Sequence, residues 1–331
     1  MSKDELKAKL EEAQNSENSG DFFSASFHYK NATELARSLG DSTTLTLCKN
    51  KIVEMNRKSD SAYKEISFEQ QVPTEEINKV VNPILEGDIE TVLKTIGIHP
   101  ALIPKIQHIE ASAKKTMPIT YQIASLSTIS TDGHLLKGGT DGNIAWTMKM
   151  YSIHQGLITD LYLSRIFSGL TEKGLNKENL IDYFKKTRIF PDNNLEIISV
   201  GIERYFANDY VSALHILIPQ FENIFLYISE KAGIDIVSLN RTKEISTQLK
   251  TLSSEHLSSD AFQKSWGKDL CEQLKFVLFE QLGYTLRHKI AHGQIGKNEC
   301  TLTNANLILH FFLVLSARIG METKPKDTSN I

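Results

Sequence analysis

The stretch YVSALHILIPQFENIFLYI, Tyr210 to Ile228, decides how the chain is read. Its apolar side chains fall at Tyr210, Ala213, Leu214, Leu217, Phe221, Ile224, Phe225 and Ile228. Steps of three and four place them on one face of a helix of about five turns. Gly233 is positioned to stop it. Two more stripes follow, Leu270, Leu274, Val277, Leu278 and Leu282, then Ile308, Phe311, Phe312, Leu315 and Ile319. A helix with one apolar face must bury it against another element, so residues 196–320 are expected to form a bundle of four or five helices. Lys231 to Phe262 would supply a short helix and loops between the first two long ones. The fold class is mainly α.

Outward from this bundle, the composition narrows the possibilities. The 331 residues allow two or three modules, and 40% hydrophobic residues can fill a core. Lys plus Arg number 37 against 40 Asp plus Glu, a net charge of -3 that speaks against a disordered tail protein and a broadly basic DNA coat. The apolar run Leu307 to Leu315 is far short of the roughly 18 residues that cross a bilayer. No membrane partner is therefore expected. The start, MSKDELKAKLEE, is charged where a secretory signal is apolar, and Cys48, Cys271 and Cys300 lack metal-site spacing. A cytoplasmic location is the resulting expectation.

Upstream, residues 1–62 read as a helical hairpin. Leu6 and Leu10 begin one stripe; Phe22, Ala25, Tyr29, Ala32, Leu35 and Ala36 form the next, ended by Gly40-Asp41. The small and aromatic residues Gly20, Ala25, Tyr29 and Ala32 resemble a tetratricopeptide hairpin, which implies a docking arm or lid. One unit is too few for a solenoid, which needs about three repeats. An ordinary helical pair fits the same residues. Residues 63–195 read as a mixed, mostly helical middle domain. Five of the chain's eight prolines, Pro73, Pro83, Pro100, Pro104 and Pro118, punctuate it. Short helices are expected at Thr74 to Val81 and Ile89 to Ile96, and a small β-hairpin from Ile119–Ile129, through a turn at Ser130 to Gly133, into His134 to Leu136. Lys137 to Gly142 lacks the GxxxxGK[ST] order of a phosphate loop and reads as a plain loop. Met150, Ile153, Leu157, Leu161 and Ile166 suggest one helix, Leu180, Tyr183 and Phe184 another. A flexible tail is expected at 323–331.

Chemically specific signal concentrates in LRHKIAHG, Leu286 to Gly293. Arg287 is a permanent cation with a planar fork of donors, and His292 exchanges a proton near neutral pH. Together they suit a phosphodiester passing through a charged transition state. The order of Arg287, polar His288 and, four residues on, His292 resembles the hallmark of the HEPN superfamily of nucleotide-binding helical domains. Gly201 to Glu222 is similar to the first bundle helix of an uncharacterised bacterial branch of that superfamily ending in an Ala-His-Gly signature. The resemblance covers residues 196–320 and places the motif near the end of a long amphipathic helix.

That resemblance implies a homodimer whose facing helix ends form a composite groove. It further implies metal-independent cleavage of single-stranded RNA by 2'-hydroxyl attack, leaving a 2',3'-cyclic phosphate, in a bacterial defence or stress effector. In that reading His292 is general base or acid, Arg287 stabilises the pentavalent phosphorane, His288 orients the pair, and Glu222 holds Arg287 from the first helix. RNA is the expected partner, a second copy the dimer partner, and the amino-terminal hairpin a place for another protein. A non-catalytic HEPN scaffold or a nucleotide sensor remains the alternative.

Duller roles fit the same residues. Arg287 could pair with an acidic neighbour, and His292 could serve a helix end with Gly293 as cap. His288 and His292 have four-residue spacing, but HKIAH lacks the glutamate of HExxH and no third ligand is marked nearby, so no metal or other cofactor is expected. His215, His310, Trp266, Phe276 and Phe279 read as packing or interface residues.

Overall fold

The computed structural model describes residues 2–60, 72–123, 126–129, 133–240 and 246–322. The expected tail 323–331 and the turn residues Ser130 to Asp132 lie outside them. The chain is mainly α, and its contacts divide it into two compact units, Met1–Gln71 with Met117–Trp146 and Val72–Thr116 with Thr147–Ile331. This differs from the expected partition at 62 and 195. The middle segment 63–195 is shared between the two units instead of forming a domain of its own.

The first unit begins with three helices, α1 (Lys3–Asn18), α2 (Phe22–Ser38) and α3 (Ser42–Lys58). The expected hairpin therefore has a third member, and α2 packs against both neighbours. Each turn is built by local chemistry. Asp21 caps α2 by accepting the Ser24 N–H at 3.0 Å, and Asp41 caps α3 by accepting the Thr44 N–H at 3.0 Å. Ala25, Ala32 and Ala36 are buried with Tyr29, Cys48 and Met55, small side chains letting the helices close on the aromatic ring. Asn56, also buried, joins this arm to a hairpin far along the chain: its Nδ2 donates to the Gly133 carbonyl at 2.9 Å, while its Oδ1 accepts from Ser26 at 2.6 Å.

That hairpin follows α4 (Thr74–Ile84), α5 (Ile89–Ile98) and α6 (Ile106–Thr116) of the second unit and a short α7 (Ile119–Ile123). It consists of β1 (Leu126–Ile129) and antiparallel β2 (Leu135–Thr140). Two sequence expectations need correction here. Ile119 to Ile123 is helical although β-branched residues favour strand, because the turn after Pro118 starts a helix: the Tyr121 N–H meets the Pro118 carbonyl at 3.0 Å. Lys137 to Thr140 is strand, not loop; its register slips between Leu126 and Ile129, an irregularity that adjacent glycines tolerate.

The second unit has one continuous hydrophobic core from Ile77 to Leu315. It contains α4 to α6, most of α8 (Gly142–Gly156), a π-helical turn at Leu157–Leu163, α9 (Ser164–Glu172), α10 (Lys177–Thr187), α11 (Asp192–Phe206) and α12 (Tyr210–Lys231). Met150 to Ile166 is consequently not one regular helix. The wide turn shifts the period, burying Gln155, Ile158, Thr159 and Leu163 and leaving Ile153 exposed. Beyond α12 come β3 (Val237–Asn240) and antiparallel β4 (Ser246–Leu249), a hairpin not expected there, before the expected short helix. The chain continues through α13 (Ser254–Ser258), α14 (Asp260–Trp266), α15 (Lys268–Leu278), α16 (Leu286–Ala291) and α17 (Leu302–Glu322).

Long-range packing extends the expected bundle. α17 lies against α5 as well as α12, so helices from residues 72–116 belong to the same core. Polar ties fix this arrangement: Asp269 accepts the Ile106 N–H at 3.1 Å, and the Gln273 amide donates to the Leu102 carbonyl at 3.3 Å. α12 has the length and mean hydropathy of a bilayer span, but it is a core helix here, with its Ala213, Leu217, Phe221 and Phe225 face buried.

Candidate functional site

The motif lies on a separate short helix, a correction to its expected place near the end of a long one. α15 stops at Leu278, and the Glu280 and Gly283 N–H groups are consumed by a tight turn, to the Lys275 and Glu280 carbonyls at 2.8 Å each. The backbone there crosses α15 so closely that a Cβ on Gly283 would sit 2.1 Å from the Phe276 carbonyl oxygen. Leu282, read as the last residue of the stripe, falls in this turn. Thr285 follows in the left-handed region at φ 56°, an uncommon conformation for a β-branched residue, and its hydroxyl donates to the Glu280 carbonyl at 3.0 Å. The strained residue sets the direction in which α16 leaves.

α16 has only six residues, so its orientation comes from its anchors. At about 100° per residue, Leu286 and Ile290 share the inward side, Arg287 and Lys289 lie on opposite flanks, and His288 and His292 point outward together. Burial agrees: Leu286 is buried, Ile290 packs partly on the core, and both histidines are exposed. Lys289 forms an ion pair with Glu299, whose other oxygen accepts the Gly296 N–H at 3.0 Å. The carboxyl end closes as the sequence suggests. Gly293 takes φ 65°, its N–H meets the Ile290 carbonyl at 3.2 Å, and the Gln294 N–H reaches the Lys289 carbonyl at 2.7 Å.

Arg287 is held by two partners, a carboxylate and an aromatic ring. Its Nε donates to Glu222 Oε2 at 2.9 Å and its Nη2 to Glu222 Oε1 at 3.3 Å, a two-point grip from α12. Glu222 Oε1 also accepts the Leu252 N–H at 3.0 Å, which ties in the segment before α13. The guanidinium carbon lies 5.9 Å from the centre of the Phe279 ring, within cation–π range. The side chains of Arg287 and Glu222 are 24% and 14% exposed, so the pair is partly shielded but reachable.

The two imidazoles form a second pair, with ring centroids 4.4 Å apart and planes inclined by 52°. His288 is held below the ordinary histidine range, first by partial burial and then by the neighbouring His292 and Arg287 charges. Both effects favour the neutral ring, which can accept a proton or a hydrogen bond. No hydrogen bond, ion pair or ring contact joins Arg287 to His292 among the described residues. Within one chain the partner of Arg287 is Glu222 and that of His292 is His288. The structure thus brings Arg287 to Glu222 and His288 to His292, two pairs on adjoining faces.

Sequence reading took Phe279 for packing and had no signal for Thr285, Leu252 or Glu299. Phe279 could have been noticed as an aromatic residue shortly before the motif; the others act through backbone geometry or distant folding. Two other histidines singled out in the sequence have different surroundings. His310 is fully buried on α17, and His215 is exposed, with Nδ1 2.7 Å from the Val211 carbonyl. Trp266 and Phe276 are buried, Trp266 donating to Ser229 at 2.9 Å. Among the described residues no three His, Cys, Asp or Glu side chains cluster as a metal site. No known family model, curated protein or solved structure matches the chain.

Proposed function

We propose that the protein is a metal-independent endoribonuclease of HEPN type acting on single-stranded RNA. The observation that carries this reading is the exposed His288–His292 pair beside an arginine fixed in place by Glu222 and Phe279. One imidazole of the pair can remove the proton from a ribose 2'-hydroxyl, and the other can deliver a proton to the leaving 5'-oxygen. Arg287 has N–H groups beyond the two given to Glu222, and these can donate to a nonbridging phosphate oxygen as charge gathers there. Glu222 offsets its charge, so Arg287 acts as an oriented donor more than as a bare cation. The separation of Arg287 from His292 within one chain fits a groove completed by a second copy. A role in bacterial defence or stress, as toxin or antiviral effector, and a cytoplasmic location belong to the same proposal.

The test is single-stranded RNA incubated with excess EDTA and wild-type, His292→Ala, His288→Ala or Arg287→Ala protein. His292→Ala and Arg287→Ala should each lower the rate on the order of 100-fold or more, and the wild-type product should carry a 2',3'-cyclic phosphate. Cleavage that survives both substitutions removes the assignment.

A second reading, a non-catalytic dimerising scaffold, is favoured by one observation in the first unit. Phe23 and Phe27, four residues apart on α2, are 65% and 57% exposed, a surface suited to a protein partner. If light scattering finds a stable dimer that never cuts RNA, this reading replaces the first.

A further inference from the structure

We propose that His288 and His292 together bind a divalent transition cation of the zinc, nickel or copper class. The pair has what such an ion requires and little that competes for it. Four-residue spacing on α16 sets both imidazoles on one outward face, and both are exposed. Neither ring takes part in a side-chain hydrogen bond or ion pair among the described residues. Leu286 and Ile290 anchor the opposite face, and the Gly293 cap holds His292 at the last turn, so the backbone carrying the two ligands is already set.

The spacing agrees with shared coordination. An imidazole nitrogen bound at about 2.0–2.1 Å puts its ring centre about 3.2 Å from the ion, and two such rings subtending about 90–110° lie about 4.5–5.2 Å apart. The observed centroids are 4.4 Å apart, so a small opening of the pair admits the ion. Because no third side-chain ligand clusters with them among the described residues, water fills the other positions and the ion exchanges readily. Imidazole donors favour nickel, copper and zinc over magnesium. Glu222 pairs with Arg287 and offsets part of the charge that would oppose the ion.

The site itself is independent of the ribonuclease proposal; only its consequence rests on that reading. An ion on these nitrogens occupies both lone pairs that acid-base chemistry would use, so zinc should inhibit an enzyme that needs no metal to act.

The decisive experiment is calorimetric titration of the EDTA-stripped full chain, without RNA, with zinc, nickel and magnesium chlorides. Zinc and nickel should bind and magnesium should not. Losing an outer-shell partner already costs about 10–100-fold in affinity, so His288→Ala and His292→Ala should each weaken zinc binding at least about 10-fold. His215→Ala should leave it unchanged. The double variant His292→Ala with Gln294→His keeps the number of imidazoles but moves one off the face, and it should stay weak. Copper added to the unsubstituted chain should selectively broaden the His288 and His292 ring resonances, a readout that no folding defect can mimic. Zinc affinity unchanged in either single variant, or broadening confined to other histidines, overturns the proposal. Such a failure leaves RNA cleavage in EDTA untouched, so the two ideas fall separately.

Discussion

Replacing Glu222 tests whether the ion pair organises the end of the second unit. Glu222→Ala deletes the acceptor for two Arg287 donors and for the Leu252 N–H. Hydrogen bonds to charged groups contribute about 1.5–3 kcal/mol each, and orphaning one member of a fully buried pair costs about 3–5 kcal/mol. At 24% exposure the guanidinium left behind can regain part of its hydration. The expected loss is therefore about 2–3 kcal/mol, below the fully buried range. Glu222→Gln keeps one oxygen for Leu252 and Arg287 Nη2 but loses the charge and the acceptor for Arg287 Nε, so it should cost about 1–2 kcal/mol. In a double-mutant cycle with Arg287→Met, the coupling should be about 1–2 kcal/mol. Urea unfolding followed by Trp266 fluorescence, in a Trp146→Phe background, reads the second unit where Trp266 packs on Phe225. Two compact units do not license one global unfolding free energy, so each transition is fitted separately. With slopes of about 2–3 kcal/mol per molar urea, Glu222→Ala should lower the midpoint by roughly 1 M. A coupling below about 0.5 kcal/mol would refute the view that this grip fixes the site.

Two further outcomes follow from the core and the turn. Gly283→Ala places a Cβ against the Phe276 carbonyl and must push α16 away from α15; a destabilisation of about 1–3 kcal/mol is expected by the same urea assay, with faster amide exchange across residues 286–292. His310 is fully buried, both ring nitrogens lack a hydrogen-bond partner among the described residues, and burial lowers its pKa to about 3. The unfolded chain binds this proton near pH 6.5 and the folded chain does not, so the contribution is fully present above about 6.5 and is lost as pH falls toward about 3. At pH 5 the loss is about 2 kcal/mol relative to pH 7, and His310→Leu should remove that slope from unfolding curves recorded between pH 7 and 5. An unchanged slope would mean that the ring is hydrated or paired in solution.

The helices were legible because their information is local. The three-and-four spacing in Tyr210 to Ile228 dictates an apolar face whatever surrounds it, and α12 follows it. Asp21, Asp41 and Gly293 mark helix ends through their own side chain or backbone freedom, so those boundaries could also be read directly. The candidate residues likewise stand out by type. An arginine and two histidines in six positions are a local pattern, and a helical wheel already places His288 beside His292.

Relations between distant segments followed another rule. Periodicity carried the α15 stripe on to Leu282, but the backbone crossing at Gly283 and the left-handed Thr285 broke the helix, because close packing overrides propensity. Glu222 was expected to hold Arg287 from the first bundle helix, 65 residues away, but no spacing encodes the pair; the packing of α12 beside α16 makes it. In the same way, Asn56 and Gly133, 77 residues apart, put the hairpin with the amino-terminal helices, while α5 joined the core of α17. Sequence by itself marked the long amphipathic helices and the residue types able to do chemistry. Tertiary structure decided which of them meet, since an ion pair or a shared core depends on distances that no local spacing encodes.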